Sequence, residues 1–117
     1  MGIPLINQAM THFKSQVLLN LNEVPYGSCI AYGELAKQSG FPGYARQVGQ
    51  IIKKLPKDTK LPWHRVVNAQ HRISFAENTD GYLRQKERLE KEGWVIIGNK
   101  LTLNENALSR QKAPLNM

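Results

Sequence analysis

The chain has 117 residues, which is enough for one domain and too few for two cores that would each be stable alone. Sixteen Lys and Arg residues against nine Asp and Glu residues give a net charge of +7, and the segment 37–72 alone carries this excess, with eight basic residues against Asp58. Hydrophobic residues make up 41% of the chain without a run of roughly 18, so the composition argues against disorder and against a membrane span. We therefore expect one soluble, intracellular domain over residues 1–117, with a basic face in its middle third and no membrane partner.

The first predicted element is a helix from Pro4 to Leu21 that faces the core. Its apolar residues recur every three or four positions, the spacing that places them along one side of a helix. Pro25 and Gly27 then favour a turn. The apolar stripe consists of Ile6, Ala9, Met10, Phe13, Val17 and Leu21.

The spacing of the next two elements predicts a helix-turn-helix. A short helix over 32–39 is stopped by Gly40, and a second runs from Tyr44 to about Leu55, where Pro56 ends it. Ala45 and Gly49 are four positions apart, so one face of the second helix is almost without side chains and could approach another surface closely. The apolar residues that point to one side of this helix are Val48, Ile51, Ile52 and Leu55.

After a basic loop, the pattern predicts a short strand at Val66 and Val67, a charged helix over 80–92, and a hairpin over 95–103. Glu87 and Lys91 are spaced to pair along the helix, and Gly93 is placed to cap it. Four basic and four acidic residues cancel within 80–92, so we expect a solvated support helix outside the basic patch.

Three motifs occur in this order along the chain: Tyr32-Gly-Glu-Leu-Ala, Tyr44-Ala-Arg-Gln-Val-Gly and Pro62-Trp-His-Arg-Val-Val. With them, from roughly Ile6 to Leu103, the chain resembles the C-terminal DNA-binding domain of the O6-alkylguanine-DNA alkyltransferases. The resemblance implies a mainly α fold, a winged-helix-like helix-turn-helix DNA-binding domain with small β elements.

One residue departs from the alkyltransferase motif at the reacting position. Those enzymes carry Pro-Cys-His-Arg-Val, and the cysteine takes the alkyl group from a flipped guanine, whereas this chain has Trp63. An indole has no thiolate, so we expect no enzyme activity of this kind. The chain is instead similar to the alkyltransferase-like proteins, which bind O6-alkylguanine in DNA without repairing it and mark it for nucleotide excision repair.

The resemblance also assigns roles in base flipping. Arg46 matches the finger that enters the duplex from the minor groove and fills the space of the extruded base, a task that suits a planar guanidinium. Tyr32 matches the tyrosine that crowds the 3′ phosphate and helps to rotate the nucleotide outward. Without the resemblance, Arg46 is a solvated helix charge and Tyr32 a core aromatic. Ala45 and Gly49 would let the helix lie in the narrow groove.

The lesion pocket implied by the resemblance contains Tyr32, Trp63, His64 and Val66. Trp63 would offer the flipped base and its alkyl group an apolar wall. His64 and Glu92 match a histidine–glutamate pair of the active relatives and would keep only a structural role here. Two further departures are Leu55-Pro56 in place of Asn-Pro, and Ala76 in place of a loop arginine that some relatives use for cation–π contact with the damaged base.

The predicted partners are duplex DNA containing O6-alkylguanine and nucleotide excision repair proteins, bound by a monomer. Basic residues of 37–72 would contact phosphates, among them Lys53, Lys54 and Arg65. Two alternatives stay open: an active alkyltransferase that uses Cys29 or another acceptor, and a sequence-specific winged-helix regulator. Cys29 has no His-Arg neighbour in sequence, and it cannot form an internal disulfide or a thiolate-rich zinc site as the only cysteine, so we expect an inert thiol and no metal or cofactor.

Overall fold

The computed structural model describes the backbone of residues 5–103 and the side chains from Ala9 onward. The first helix, α1, spans Leu5–Asn22, and its residues Phe13, Val17 and Leu21 are completely buried. This confirms the predicted apolar stripe where it can be seen; the side chain of Ile6 lies outside the described ones.

The helix-turn-helix is formed by α2 (Tyr32–Gln38) and α3 (Ala45–Lys53). Gly40 ends α2 with a φ of +91°, a backbone conformation that L side chains rarely adopt. Phe41, in the turn, stacks against Phe13 of α1 with ring centroids 4.8 Å apart, which anchors the turn to the core. The amphipathic assignment of α3 is confirmed, since Val48 and Ile52 are buried.

Two small sheets complete the fold. The strand β1 (Ile30–Ala31), which we did not predict, pairs in parallel with β2 (Val66–Val67), and a 3-10 turn over Trp63–Arg65 leads into β2. The hairpin of β3 (Trp94–Ile97) and β4 (Lys100–Leu103) is antiparallel and turns at Gly98. The mainly α prediction with small β elements is therefore confirmed.

The last helix, α4 (Asp80–Lys91), packs against β3 and the 3-10 turn, with Tyr82 and Leu89 buried. Thr79 caps its first turn, and Gly93 follows its last turn with a φ of +100°, as the sequence predicts. Gln85, which is 1% exposed, donates hydrogen bonds to the carbonyls of His64 and Val66 at 3.0 and 2.9 Å. The helix thereby fixes the turn that carries Trp63. No helix within residues 5–103 is long and apolar enough to cross a membrane.

Candidate nucleic-acid interface

The exposed face of α3 lines a cavity that also contains several of the predicted site residues. This cavity, of about 410 Å³, is called the Tyr32 cavity below. Tyr32 projects into it from the start of α2, and burial raises the pKa of its phenol, while a hydrogen bond to Ser74 opposes that rise. The structure thus brings together several of the residues predicted to bind DNA. The lining residues are Tyr32, Ala45, Arg46, Gly49, Ile52, Lys53, Ser74 and Phe75.

The bare face of α3 is not required by the packing of the fold. A Cβ built on Gly49 would lie 3.8 Å from the Tyr32 ring, an ordinary van der Waals distance, and a Cβ on Gly33 would lie 3.9 Å from Ala45. Glycine inside a helix costs about 1 kcal/mol relative to alanine. Since the core gains nothing from Gly49, the missing side chain favours close approach by an outside partner.

Arg46 and Lys53 are exposed and form no ion pair within residues 9–103. Lys54, predicted to act beside Lys53, instead lines a cavity between α3 and α1 that also contains Lys14. Consecutive positions on a helix point about 100° apart, so neighbouring lysines of α3 serve different surfaces. Arg46 and Lys53 share the Tyr32 cavity, and Lys54 does not line it.

Trp63 lies in a second, smaller cavity of about 170 Å³, called the Trp63 cavity below. Its indole is 7% exposed and meets Phe75 edge to face, with ring centroids 6.4 Å apart. Ile52, Lys53 and Phe75 line both cavities, so the two are neighbours. The structure therefore differs from the predicted single pocket that contains both Tyr32 and Trp63.

Helix α4 contributes charge to this cavity, which corrects the prediction of a solvated support helix. The guanidinium carbons of Arg84 and Arg88 both lie 5.4 Å from the centroid of the Trp63 ring, and Arg84 lines the Trp63 cavity. The charge count over 80–92 missed this because it ignored direction: positions 84 and 88 lie on one helix face. On the helix surface, Lys86 pairs with Glu90 and Lys91 with Glu87, the second pair as predicted.

The carboxylate of Glu92 lies at the centre of a buried polar cluster. His64 Nε2 is 2.6 Å from Oε2, Arg65 donates through Nε and Nη2 at 2.9 and 2.8 Å, and the Gly27 amide donates at 3.0 Å. Burial alone would raise the pKa of Glu92, but the hydrogen bonds from Arg65, His64 and Gly27 together lower it to about 2. The contact between His64 and Glu92 that the resemblance implied is present, and it joins β2 to the end of α4.

His64 itself faces the interior. Burial lowers the pKa of its imidazole, although the hydrogen bond to Glu92 opposes the shift, so the ring is neutral at neutral pH with Nε2 as the assigned donor. Its Nδ1 has no hydrogen-bond partner within residues 9–103. Neither His64 nor Val66, which is 1% exposed, lines the Tyr32 or Trp63 cavity. The lesion pocket that the resemblance implies stays a prediction; in this structure the 3-10 turn places His64, and β2 places Val66, in the core.

Arg65 also differs from its predicted role as a DNA contact. Besides its bonds to Glu92 through Nε and Nη2, it donates through Nη1 to the Val24 carbonyl at 2.7 Å, and its side chain is 14% exposed. A guanidinium held at three nitrogens inside the fold is not available to a phosphate. Its role here is to hold the turn after α1 against the end of α4.

Cys29 lies half-buried at a distance from both cavities in the fold, in a depression with Glu23 and Glu34. Its Sγ is 3.7 Å from Nε2 of His71. Burial raises the pKa of the Cys29 thiol, so the nucleophilic thiolate is disfavoured at neutral pH. Within residues 9–103, no three His, Cys, Asp or Glu side chains cluster as metal ligands.

Three contributors to the site were not predicted from the sequence. Phe75 lines both cavities, and no sequence signal marks it. The spacing of Arg84 and Arg88 could have predicted that they act together, since residues four apart lie on one face of a helix and can both contact one aromatic ring.

Comparison with known proteins gives a consistent picture. The family model of the 6-O-methylguanine DNA methyltransferase DNA-binding domain matches residues 12–94. Alkyltransferase-like protein 1 of Schizosaccharomyces pombe is 48% identical over 92 residues, which cover 79% of this chain and 85% of that protein. A DNA base-flipping protein of Vibrio parahaemolyticus is 45% identical over 85 residues, 72% of this chain and 82% of its own.

A solved structure shows that the similarity extends to the fold. The crystal structure of S. pombe Atl1 in complex with damaged DNA containing O6-carboxymethylguanine superposes with a TM-score of 0.71 at 43% identity, and the match covers 81% of this chain and 91% of that one. The overall fold is thus shared with a protein solved on damaged DNA. By both sequence and fold, this chain belongs to the 6-O-methylguanine DNA methyltransferase DNA-binding domain family.

Proposed function

We propose that this protein is a non-enzymatic sensor of DNA damage that binds O6-alkylguanine in duplex DNA and flips the damaged base out of the stack. The observation that carries the proposal is the surface of α3: the exposed Arg46 and the bare Gly49 adjoin a cavity of about 410 Å³ whose wall includes Tyr32. Its relatives named for alkyltransferase-like and base-flipping activity support the same function.

In the proposed mechanism, α3 enters the minor groove with its Ala45 and Gly49 face toward the DNA. Arg46 occupies the space left by the extruded guanine, and its guanidinium stacks as a plane while donating hydrogen bonds to the orphaned cytosine. Tyr32 crowds the phosphate on the 3′ side and favours rotation of the nucleotide into the cavity. Lys53 and the other free basic residues of 37–72 neutralise phosphates.

The proposed sensor does not transfer the alkyl group. Trp63 stands where the alkyltransferase motif has its cysteine, and an indole has no thiolate to attack the alkyl carbon. Cys29 is a poor substitute, because burial raises the pKa of its thiol and it lines neither the Tyr32 nor the Trp63 cavity. The persistent complex of a monomer on intracellular DNA would then mark the lesion for nucleotide excision repair.

The central experiment measures binding to matched duplexes that contain guanine or O6-methylguanine, together with transfer of a labelled methyl group. We expect preference for the lesion and no transfer; labelled protein would instead establish an alkyltransferase. Preference for one undamaged sequence over lesions in any sequence would establish the regulator. Against a regulator, Ala45 and Gly49 stand where a major-groove reader carries long polar side chains.

The role of Arg46 is tested with Lys54 as its matched control. Arg46→Ala should weaken binding to lesion DNA at least about tenfold, because a stacked, hydrogen-bonded side chain contributes on the order of 1–3 kcal/mol. Lys54→Ala removes the same charge from the same helix outside the Tyr32 cavity and should cost less than about threefold. Equal losses would show that Arg46 acts only through its charge.

The repair partner and the oligomeric state are tested separately. Loss of this protein should add no sensitivity to alkylating agents in cells that already lack nucleotide excision repair; added sensitivity would contradict that pathway. Sedimentation of the free protein should give the mass of one 13.3 kDa chain.

A further inference from the structure

The Trp63 cavity is lined by three cations and by no carboxylate. Lys53, Lys57 and Arg84 line it, and within residues 9–103 none of the three forms an ion pair. The remaining lining residues are apolar or glycine: Ile52, Leu55, Pro56, Trp63, Phe75 and Gly81. Because apolar walls reduce screening by water, a charge inside this cavity interacts more strongly than one on an open surface.

The guanidinium of Arg84 has N–H donors that its hydrogen bond to the Lys57 carbonyl does not use. Its Nη2 donates to the carbonyl of Lys57 at 2.8 Å, which holds the guanidinium between the basic loop and the Trp63 ring. A guanidinium has five N–H donors, and this bond uses one of them. The structure therefore presents a positioned, partly buried cation that can still donate to an oxygen anion within the cavity.

The two cavities differ in the size of group that they accept. The Trp63 cavity, at about 170 Å³, is less than half the size of the Tyr32 cavity and suits a group of a few non-hydrogen atoms rather than a nucleoside. The shared lining residues Ile52, Lys53 and Phe75 place it next to the larger cavity. A base in the Tyr32 cavity could therefore extend a short substituent toward Trp63.

The resemblance places the O6 substituent against Trp63; from the charge and shape of the Trp63 cavity, we propose that Arg84 makes this cavity selective for O6 substituents that carry a carboxylate. The inference rests on the proposed function, and it names the lesion class that the site prefers. A carboxylate would accept charge-assisted hydrogen bonds from Arg84, whereas a neutral group of the same shape would leave the three cations uncompensated.

The test compares duplexes of one sequence at a fixed ionic strength of about 0.15 M, since binding to DNA depends strongly on salt. The target position holds guanine, O6-methylguanine, O6-carboxymethylguanine or O6-carbamoylmethylguanine, the last being a neutral analogue of the carboxymethyl group. The wild-type protein should bind the carboxymethyl duplex about tenfold more tightly than the carbamoylmethyl duplex, the ratio expected for a hydrogen bond to a charged group.

Arg88 provides the matched control. It lies on the same helix, at the same 5.4 Å from the Trp63 ring, and does not line the Trp63 cavity. Arg84→Gln should reduce the ratio to within about twofold, and Arg88→Gln, with the same net charge, should retain it. Lys57→Gln, at an exposed loop position, gives a second variant that tests the cavity if Arg84→Gln does not fold; we expect it to lower the ratio about threefold.

Each outcome separates the two proposals. If no O6-substituted duplex binds better than guanine, the proposed function itself fails. If lesions are preferred but the carboxymethyl and carbamoylmethyl duplexes bind equally, the proposed function stands and the selectivity is refuted. An equal ratio in Arg84→Gln and Arg88→Gln would overturn the assignment to Arg84.

Discussion

The cluster around Glu92 supports a quantitative prediction for the variant Glu92→Gln. The substitution keeps the shape of the side chain and removes its charge, so the Arg65 guanidinium stays buried without a carboxylate. The Glu92 side chain is 6% exposed and that of Arg65 is 14% exposed, so water cannot easily replace the lost partner. We expect a large loss of stability in a protein whose active surface is elsewhere.

The magnitude follows from the pKa of Glu92, which falls to about 2 in the folded protein. An unfolded glutamate titrates near about 4.3, and each pKa unit is worth about 1.4 kcal/mol, so the ionised form adds about 3 kcal/mol to the free energy of unfolding. Because the folded pKa is the lower one, this stabilisation is present above about pH 5 and is lost as the pH falls toward 2.

Urea unfolding of both proteins between pH 7 and pH 3 provides the assay. At pH 7 the variant should be less stable by about 3 kcal/mol, and the difference should shrink below about pH 4.5. His64 opposes this trend, because its folded pKa is lowered and the variant also lacks the Glu92 carboxylate that counteracts this shift, so acidification through His64 costs the variant more than the wild type. Glu87→Gln on the same helix, where Glu87 pairs with Lys91 at the surface, should cost no more than about 0.5 kcal/mol. A loss below about 1 kcal/mol at pH 7 would refute the reasoning.

Three further predictions concern the cavities and α3. Gly49→Ala should fold normally, because its Cβ would meet the Tyr32 ring at the ordinary distance of 3.8 Å. Gly49→Leu, which fills the bare face, should lose at least about tenfold in DNA affinity, whereas Gly49→Ala should lose far less. Lys53→Ala should reduce the slope of log affinity against log salt by about 1, and an unchanged slope would argue against a phosphate contact. Gly81→Ala places a Cβ 2.8 Å from the Phe75 ring. Urea unfolding should therefore show a free energy of unfolding lower by about 1 kcal/mol, although alanine in a helix normally raises it. A higher free energy of unfolding would mean that Phe75 moves aside freely.

The electrostatic arrangement divides the basic residues by task. Arg65 is committed to Glu92 inside the fold, Lys54 faces α1, and Arg46 and Lys53 remain on the Tyr32 cavity. Net charge alone would assign all four to DNA. Because these side chains point in different directions, only Arg46 and Lys53 remain as proposed DNA contacts among the four. The Arg46 and Lys54 variants therefore compare a proposed contact with a basic residue outside the Tyr32 cavity.

Local patterns determined much of this protein from its sequence. The apolar periodicity of α1 and α3, the stops at Gly40 and Gly93, and the turn at Gly98 depend on residues a few positions apart, so the sequence alone predicts these elements. The motif order around Tyr32 and Trp63 likewise identified the family and pointed to DNA.

Only the tertiary structure decided what those side chains contact. The strand β1 is two residues long and forms because β2 lies beside it, and the clamp of Arg65 on Glu92 joins segments far apart in the chain. Phe75 reaches the lining of both cavities only in the folded chain, and the approach of Arg84 and Arg88 to Trp63 depends on how α4 packs against the turn before β2. Sequence spacing does not predict such long-range packing, because the burial and orientation of each side chain are determined only when the helices and strands pack together.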